Sequence, residues 1–140
     1  MSSITKQPDS ICCYENNLTY YICEKSLNDD ICNINESLLN NNSYNLSLRV
    51  NESIDYIDLS LIKDNVESME IIYNSNSNMN RMVMIFCENK SKLKEITFIF
   101  NTNEKIYCGV INCPTINNIR INGGNNVLTR INTRSYLSLN

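Results

Sequence analysis

The sequence predicts a small all-β domain: a disulfide-stapled β-sandwich or flattened β-barrel of about eight to nine short strands. Three observations predict it. Short runs rich in Ile, Val, Tyr and Phe recur along the chain, separated by clusters of Asn, Ser, Asp and Gly. Within a run such as EITFIFN (95–101), Ile96, Phe98 and Phe100 share one face and Thr97, Ile99 and Asn101 the other, the period of a strand with one buried side. Seven cysteines in 140 residues is a high density for a cytosolic domain and fits an oxidised framework.

Taken in order, the runs lie at 18–23, 44–50, 54–62, 68–73, 81–87, 95–101, 105–111, 117–121 and 126–131. The run RMVMIFC (81–87) is apolar on both faces and reads as a central strand covered on both sides. A helix can be argued for NINESLLNNN (33–42), but Asn is a poor helix former. Gly123 and Gly124, followed by two Asn, read as a hairpin turn that supplies positive φ. No repeat and no linker is visible. Residues 1–11 are polar and read as a flexible N-terminal segment, and 12–140 as a single β domain, a length that suits one core.

Composition removes several function classes. With 12 basic against 15 acidic residues, a net charge of −3 and no Lys/Arg block, the electrostatic footprint of a nucleic-acid binder is missing. The apolar runs are too short to span a membrane. The absence of His removes the commonest general base, and no nucleophile elbow, phosphate loop or dinucleotide-binding glycine pattern occurs. Near pairs of carboxylates exist at Asp29 and Asp30, Asp55 and Asp58, and Glu67 and Glu70, without the spacing of a calcium loop. The expectation is a non-enzymatic protein with no catalytic residues, no metal and no cofactor.

The cysteines are Cys12, Cys13, Cys23, Cys32, Cys87, Cys108 and Cys113, all disulfide candidates. Zinc is the rival reading, but there is no His and no C-x2-C, and C-x4-C at Cys108 and Cys113 has no second close pair. Seven is odd, so one thiol stays free or bridges two chains, and a dimer, disulfide-linked or non-covalent, is among the partner expectations. Six glycosylation motifs occur, at Asn17, Asn35, Asn41, Asn45, Asn51 and Asn89. With 26 Asn and 22 Ser plus Thr, roughly four would arise by chance. The Asn richness itself reads as coding bias as much as design. The N-terminus shows no apolar signal-peptide region, whereas the cysteine count points to a secreted or secretory-pathway setting.

Three stretches in order resemble the mannose 6-phosphate receptor homology (P-type lectin) domain over about residues 20–108: YYICEKSLNDDIC (20–32), MEIIYNSNSNMNRMVMIFC (69–87) and ITFIFNTNEKIYC (96–108). The resemblance implies a disulfide between Cys87 and Cys108, and with it we expect Cys23 to bond Cys12 or Cys13. It also implies a sugar site built from a Gln, an Arg, a Glu and a Tyr. Of these only Arg81 stands near its place, ahead of the central strand; Ile99 occupies the Tyr position, and the Gln and Glu have no counterpart by alignment. Arg81 is therefore the one ligand-binding candidate, a guanidinium suited to a fork of hydrogen bonds to vicinal hydroxyls.

The function expected is a binding domain of the secretory pathway or cell exterior that recognises a glycan or a glycoprotein surface, with most sugar ligands missing. The alternative is a secreted, immunoglobulin-like sandwich of the pathogen type that binds a host protein, although its Trp core is absent. A rim of exposed Tyr among the 8 present would suit that role.

Overall fold

The computed structural model describes residues 16–77, 81–124, 126–132 and 137–139. In chain order its elements are β1 (Asn17–Ile22), a 3-10 turn (Glu24–Ser26), α1 (Leu27–Ser37), β2 (Tyr44–Val50), β3 (Tyr56–Asp58), a 3-10 turn (Leu59–Leu61), β4 (Val66–Asn74), β5 (Met82–Glu88), β6 (Glu95–Asn101), β7 (Lys105–Ile111), β8 (Asn118–Gly123), β9 (Val127–Asn132) and β10 (Leu137–Leu139). The all-β expectation holds. The sandwich or barrel, and the immunoglobulin-like variant of it, do not: every strand pairing is parallel.

One sheet runs β1-β2-β4-β6-β8-β10 and the other β3-β5-β7-β9. From β2 onward the chain alternates between the sheets, so each coil lays one strand on each and then rises to the next. The result is a parallel, solenoid-like stack in which a strand's partner is the corresponding strand of the next coil. The side-chain period of two then converts alternation in sequence into inward ladders. On the six-stranded sheet, Leu46, Met69, Ile96 and Ile119 form one ladder and Leu48, Ile71, Phe98 and Ile121 another, all buried. On the four-stranded sheet, Ile57, Ile85 and Cys108 face them.

In the first coil a helix takes the place of a strand. The residues at 27–37 fold as α1 despite their Asn content, because Ile31 and Ile34, with Leu38 just beyond, are buried in the common core. Packing of an amphipathic face outweighs weak intrinsic propensity. The start is fixed by Asp30, whose carboxylate accepts from Cys23 N at 3.0 Å and Ser26 Oγ at 2.9 Å.

The Asn content is structural at the coil corners. Asn74 Nδ2 donates to Asn51 Oδ1 at 2.9 Å, and Asn101 Nδ2 donates to Asn74 Oδ1 at 2.7 Å, so one amide ladder climbs three coils at intervals of 23 and 27 residues. A second joins Asn112 to Asn89 at 2.6 Å, and a third Asn45 to Asn17 at 2.7 Å. Asn16, Asn89 and Asn112 also have positive φ, 66°, 61° and 56°, a conformation that Asn tolerates better than other residues with a side chain. Coding bias alone does not place amides in register. Asn112→Ala should therefore cost about 2 kcal/mol, from backbone strain plus a lost hydrogen bond, and Asn112→Gly, which keeps the backbone relaxed, about 1 kcal/mol. Equal losses in urea titrations of the two variants would show that the turn carries no strain.

Gly123 and Gly124 do have positive φ, 77° and 80°, but they turn the chain from β8 to β9 on the other sheet and make no hairpin. A Cβ at Gly123 would sit 2.4 Å from the Phe100 carbonyl oxygen of the coil below, so the corner has no space for one.

Candidate functional site

The outer surface of the four-stranded sheet is where the fold departs furthest from a solvated face. In-register partners stack Tyr56, Met84, Tyr107 and Leu128 in one row, and Asp58, Phe86, Gly109 and Arg130 in the next. Tyr56 is 49% exposed, Leu128 54% and Met82 38%, while Met84, Phe86 and Tyr107 are half-buried only by one another and their neighbours. The rings form a chain: Tyr56 and Phe86 centroids lie 5.8 Å apart, and Phe86 and Tyr107 5.6 Å apart, edge to face. Gly109 makes this possible, since a Cβ there would come within 2.7 Å of Phe86 Cδ1. The Phe86 ring lies where a side chain on the neighbouring strand would otherwise stand. Charges frame the patch, with Asp58 and Glu88 toward the first coils and Lys105 and Arg130 on later strands.

The doubly apolar run 81–87 is thus a correction: its inner face packs in the core, but its outer face, Met82, Met84 and Phe86, has no covering layer among the described residues. Sequence reasoning missed Tyr56, Phe86, Tyr107 and Leu128 as a group, because only the coil register brings them together. The one signal was that run, and its second apolar face was assigned to core.

Arg81 sits at the edge of this face and does meet carboxylates, and through one of them a Tyr, though not at the positions the resemblance implied. It pairs with Asp55, donates through Nη2 to Ser53 Oγ, and places Nε 3.6 Å from Glu104 Oε2. Glu104 is buried at 2% exposure just before β7. It accepts from Ser53 Oγ at 2.6 Å and from the Tyr73 hydroxyl at 2.8 Å, and Tyr73 in turn accepts from Ile54 N at 3.1 Å. Burial pushes the Glu104 carboxyl up, but the hydrogen bonds of Ser53, Tyr73 and Ser75 and the Arg81 charge outweigh it and hold it below the ordinary Glu value. Burial, with the Glu104 carboxylate adding to it, pushes Tyr73 up to about 12, so Tyr73 remains a proton donor. The network ties together Ser53 and Asp55, Tyr73 and Arg81, and Glu104, from three successive coils. Both guanidinium Nη atoms are engaged inside it, which leaves Arg81 poorly placed to grip a sugar. Ile99 lies on the outer face of the other sheet, in register with Ile72, on the face opposite to the one that carries Tyr73.

No disulfide joins the described cysteines, so the expected Cys87–Cys108 bridge is not formed; Cys12 and Cys13 lie outside the described residues. Cys108 is in register with Ile85, two positions before Cys87, and the parallel ladder sets the two thiols diagonally. Cys23 and Cys32 are exposed. Of the glycosylation candidates, Asn17, Asn41, Asn45, Asn51 and Asn89 are exposed, and Asn35 is held on α1 by Leu61 O and Lys63 N. The near pairs of carboxylates each find structural partners: Asp58 caps Ser60 N at 3.0 Å, Glu67 lies 3.3 Å from Lys94 Nζ, and Glu70 accepts from Ser47 Oγ at 3.0 Å. Among the described residues no three potential ligands gather as a metal site, and no helix is long and apolar enough to cross a membrane.

No protein-family model matches the chain, and neither does any curated protein or solved structure.

Proposed function

We propose that this protein is a non-enzymatic binding module whose outer four-stranded face docks a partner protein. The observation that carries the reading is the patch of rings and a thioether at Tyr56, Met84, Phe86 and Tyr107, exposed at Tyr56 and half-buried at the other three, framed by Asp58, Glu88, Lys105 and Arg130. Protein interfaces favour this composition: aromatic and Met side chains at the centre, charges at the rim. Phe86 and Tyr107 lose little conformational entropy on contact, since parallel strands on both sides already restrain them.

The glycan reading keeps one supporting feature, because exposed rings also stack on sugars. Arg81, the one donor assigned to a sugar, is tied to Ser53, Asp55 and Glu104. The expectation of an extracellular site rested on oxidised cysteines and gains no support from the described thiols.

Tyr56→Ala combined with Leu128→Ala removes two exposed side chains and leaves the core intact. Partners captured by the wild type from cells or medium of the source organism, then titrated as purified proteins, should bind the double variant at least about tenfold more weakly. A captured partner indifferent to both substitutions would exclude this face. Competition by free mannose or its 6-phosphate would restore the glycan reading.

A further inference from the structure

Cys113 was expected to be one of several interchangeable disulfide candidates, yet the fold gives it a particular neighbour. It follows β7 directly, beyond the positive-φ corner at Asn112, and turns back under the corner of the previous coil. There its Sγ lies 3.8 Å from the Cys87 carbonyl oxygen and 3.5 Å from the Ile111 carbonyl oxygen, and the Cys87 and Cys113 thiols share a hydrogen bond. Cys108, the partner the family resemblance implied for Cys87, makes no such bond. It stands two places out of register on the same inner face.

Above the pair lies Lys90, itself only 4% exposed, its ammonium held by the carbonyls of Ser60 and Ile62. The other charge acting on the site is Asp64, which binds Ser91 N and Oγ across the same corner. The two thiols are chemically unequal. The hydrogen bond from Cys87, with the Lys90 backbone and charge, pulls Cys113 down to about 7, whereas its bond to Cys113 and burial push Cys87 up. One sulfur is thus poised to be the nucleophile and the other to be the resolving thiol.

We propose that Cys87 and Cys113 are a thiol pair that closes to an intramolecular disulfide when a low-molecular-weight disulfide such as oxidised glutathione is supplied. The Cys113 thiolate attacks one sulfur of the oxidant, whose S–S bond breaks and releases one glutathione thiolate. Cys87 then attacks the Cys113 sulfur of the mixed disulfide, its proton passing to the second departing glutathione. The protein loses two hydrogens and two electrons, and the oxidant becomes two thiols. Both sulfurs are fully covered, so entry requires the corner at 112–117 to open, and the flanking Asn112, Pro114 and Thr115 lie at the surface where such opening begins. The bond would tie the corners of two successive coils on the side opposite the Arg81 network.

The test is a peptide map by mass spectrometry after native protein is incubated with oxidised glutathione and alkylated. No Lys or Arg separates Cys108 from Cys113, so both fall on one tryptic peptide and the mapping is repeated with Cys108→Ser. The expected result is a link between the Cys87 peptide and the 106–120 peptide that persists in Cys108→Ser and disappears in Cys113→Ser. Loss of the link in Cys108→Ser would reassign the bridge to Cys108 and overturn the proposal. Glutathione adducts confined to Cys23 and Cys32, with Cys87 and Cys113 alkylated as thiols, would overturn it equally. The wild-type map alone decides these last outcomes should Cys113→Ser fail to fold.

Discussion

Glu104→Ala is expected to lower stability by about 3–5 kcal/mol, since it deletes one member of a buried, hydrogen-bonded ion pair and leaves the others unmatched. Arg81 would keep Asp55 but lose its buried counter-charge, and the Tyr73 hydroxyl would lose the acceptor for its proton while keeping the bond from Ile54 N. Glu104→Gln should cost less, because the side chain still fills the site and its one amide oxygen still accepts from either Ser53 or Tyr73. Urea unfolding of the three proteins separates the cases, and a loss below about 1 kcal/mol for Glu104→Ala would mean that the network is not a keystone of the corners. The same carboxylate sets an acid dependence. Its pKa in the fold lies below the unfolded value of about 4.3, so the stability it contributes is fully present above that value and is lost as pH falls through the lower, folded one. The acid side of the stability profile should flatten in Glu104→Gln. An unchanged profile would place the titration elsewhere.

Phe98→Ala is expected to cost a further kind of loss, about 3–5 kcal/mol, through an unfilled cavity. Phe98 is fully buried, stands between Ile71 and Ile121 in its ladder, and stacks on Phe100 with ring centroids 5.8 Å apart. A coil has no spare side chains to collapse into the gap, because each inward position is already paired above and below. Thr97→Ala, on the outer face of the same strand, should stay within about 0.5 kcal/mol. Thermal unfolding of the pair would show the contrast, and comparable losses would contradict the inward assignment of Phe98.

Much of this was legible in the sequence, and the reason is local. Strand existence depends on period-two patterning, so EITFIFN and KIYCGVI were found with the boundaries the fold gives them. Pairing direction is not a local property. The same short strands with Asn and Gly between them suit antiparallel hairpins or a coil, and only the stacking of Asn51, Asn74 and Asn101 distinguishes them. Unequal intervals of 23 and 27 residues between those Asn hid the repeat from a search at fixed period. The site was lost for a related cause. Arg81 could be picked out by its place before a strand, but its partners Glu104 and Ser53 come from the coils on either side, and Gly109 gives no hint in sequence that it makes way for Phe86.

Parallel stacking also dictates how the chain reaches this state. Only β1 and β2, joined through α1, pair with the strand next in sequence, and that pairing too is parallel, so no hairpin forms early to seed the rest. The partner that a strand gains lies from 18 residues away, as between Ile119 and Leu137, to 28, as between Ile57 and Ile85, and two whole coils must be in place before the first ladder bond repays the ordering of the chain. Refolding should therefore start slowly and then run coil by coil, each added turn finding a finished template beneath it.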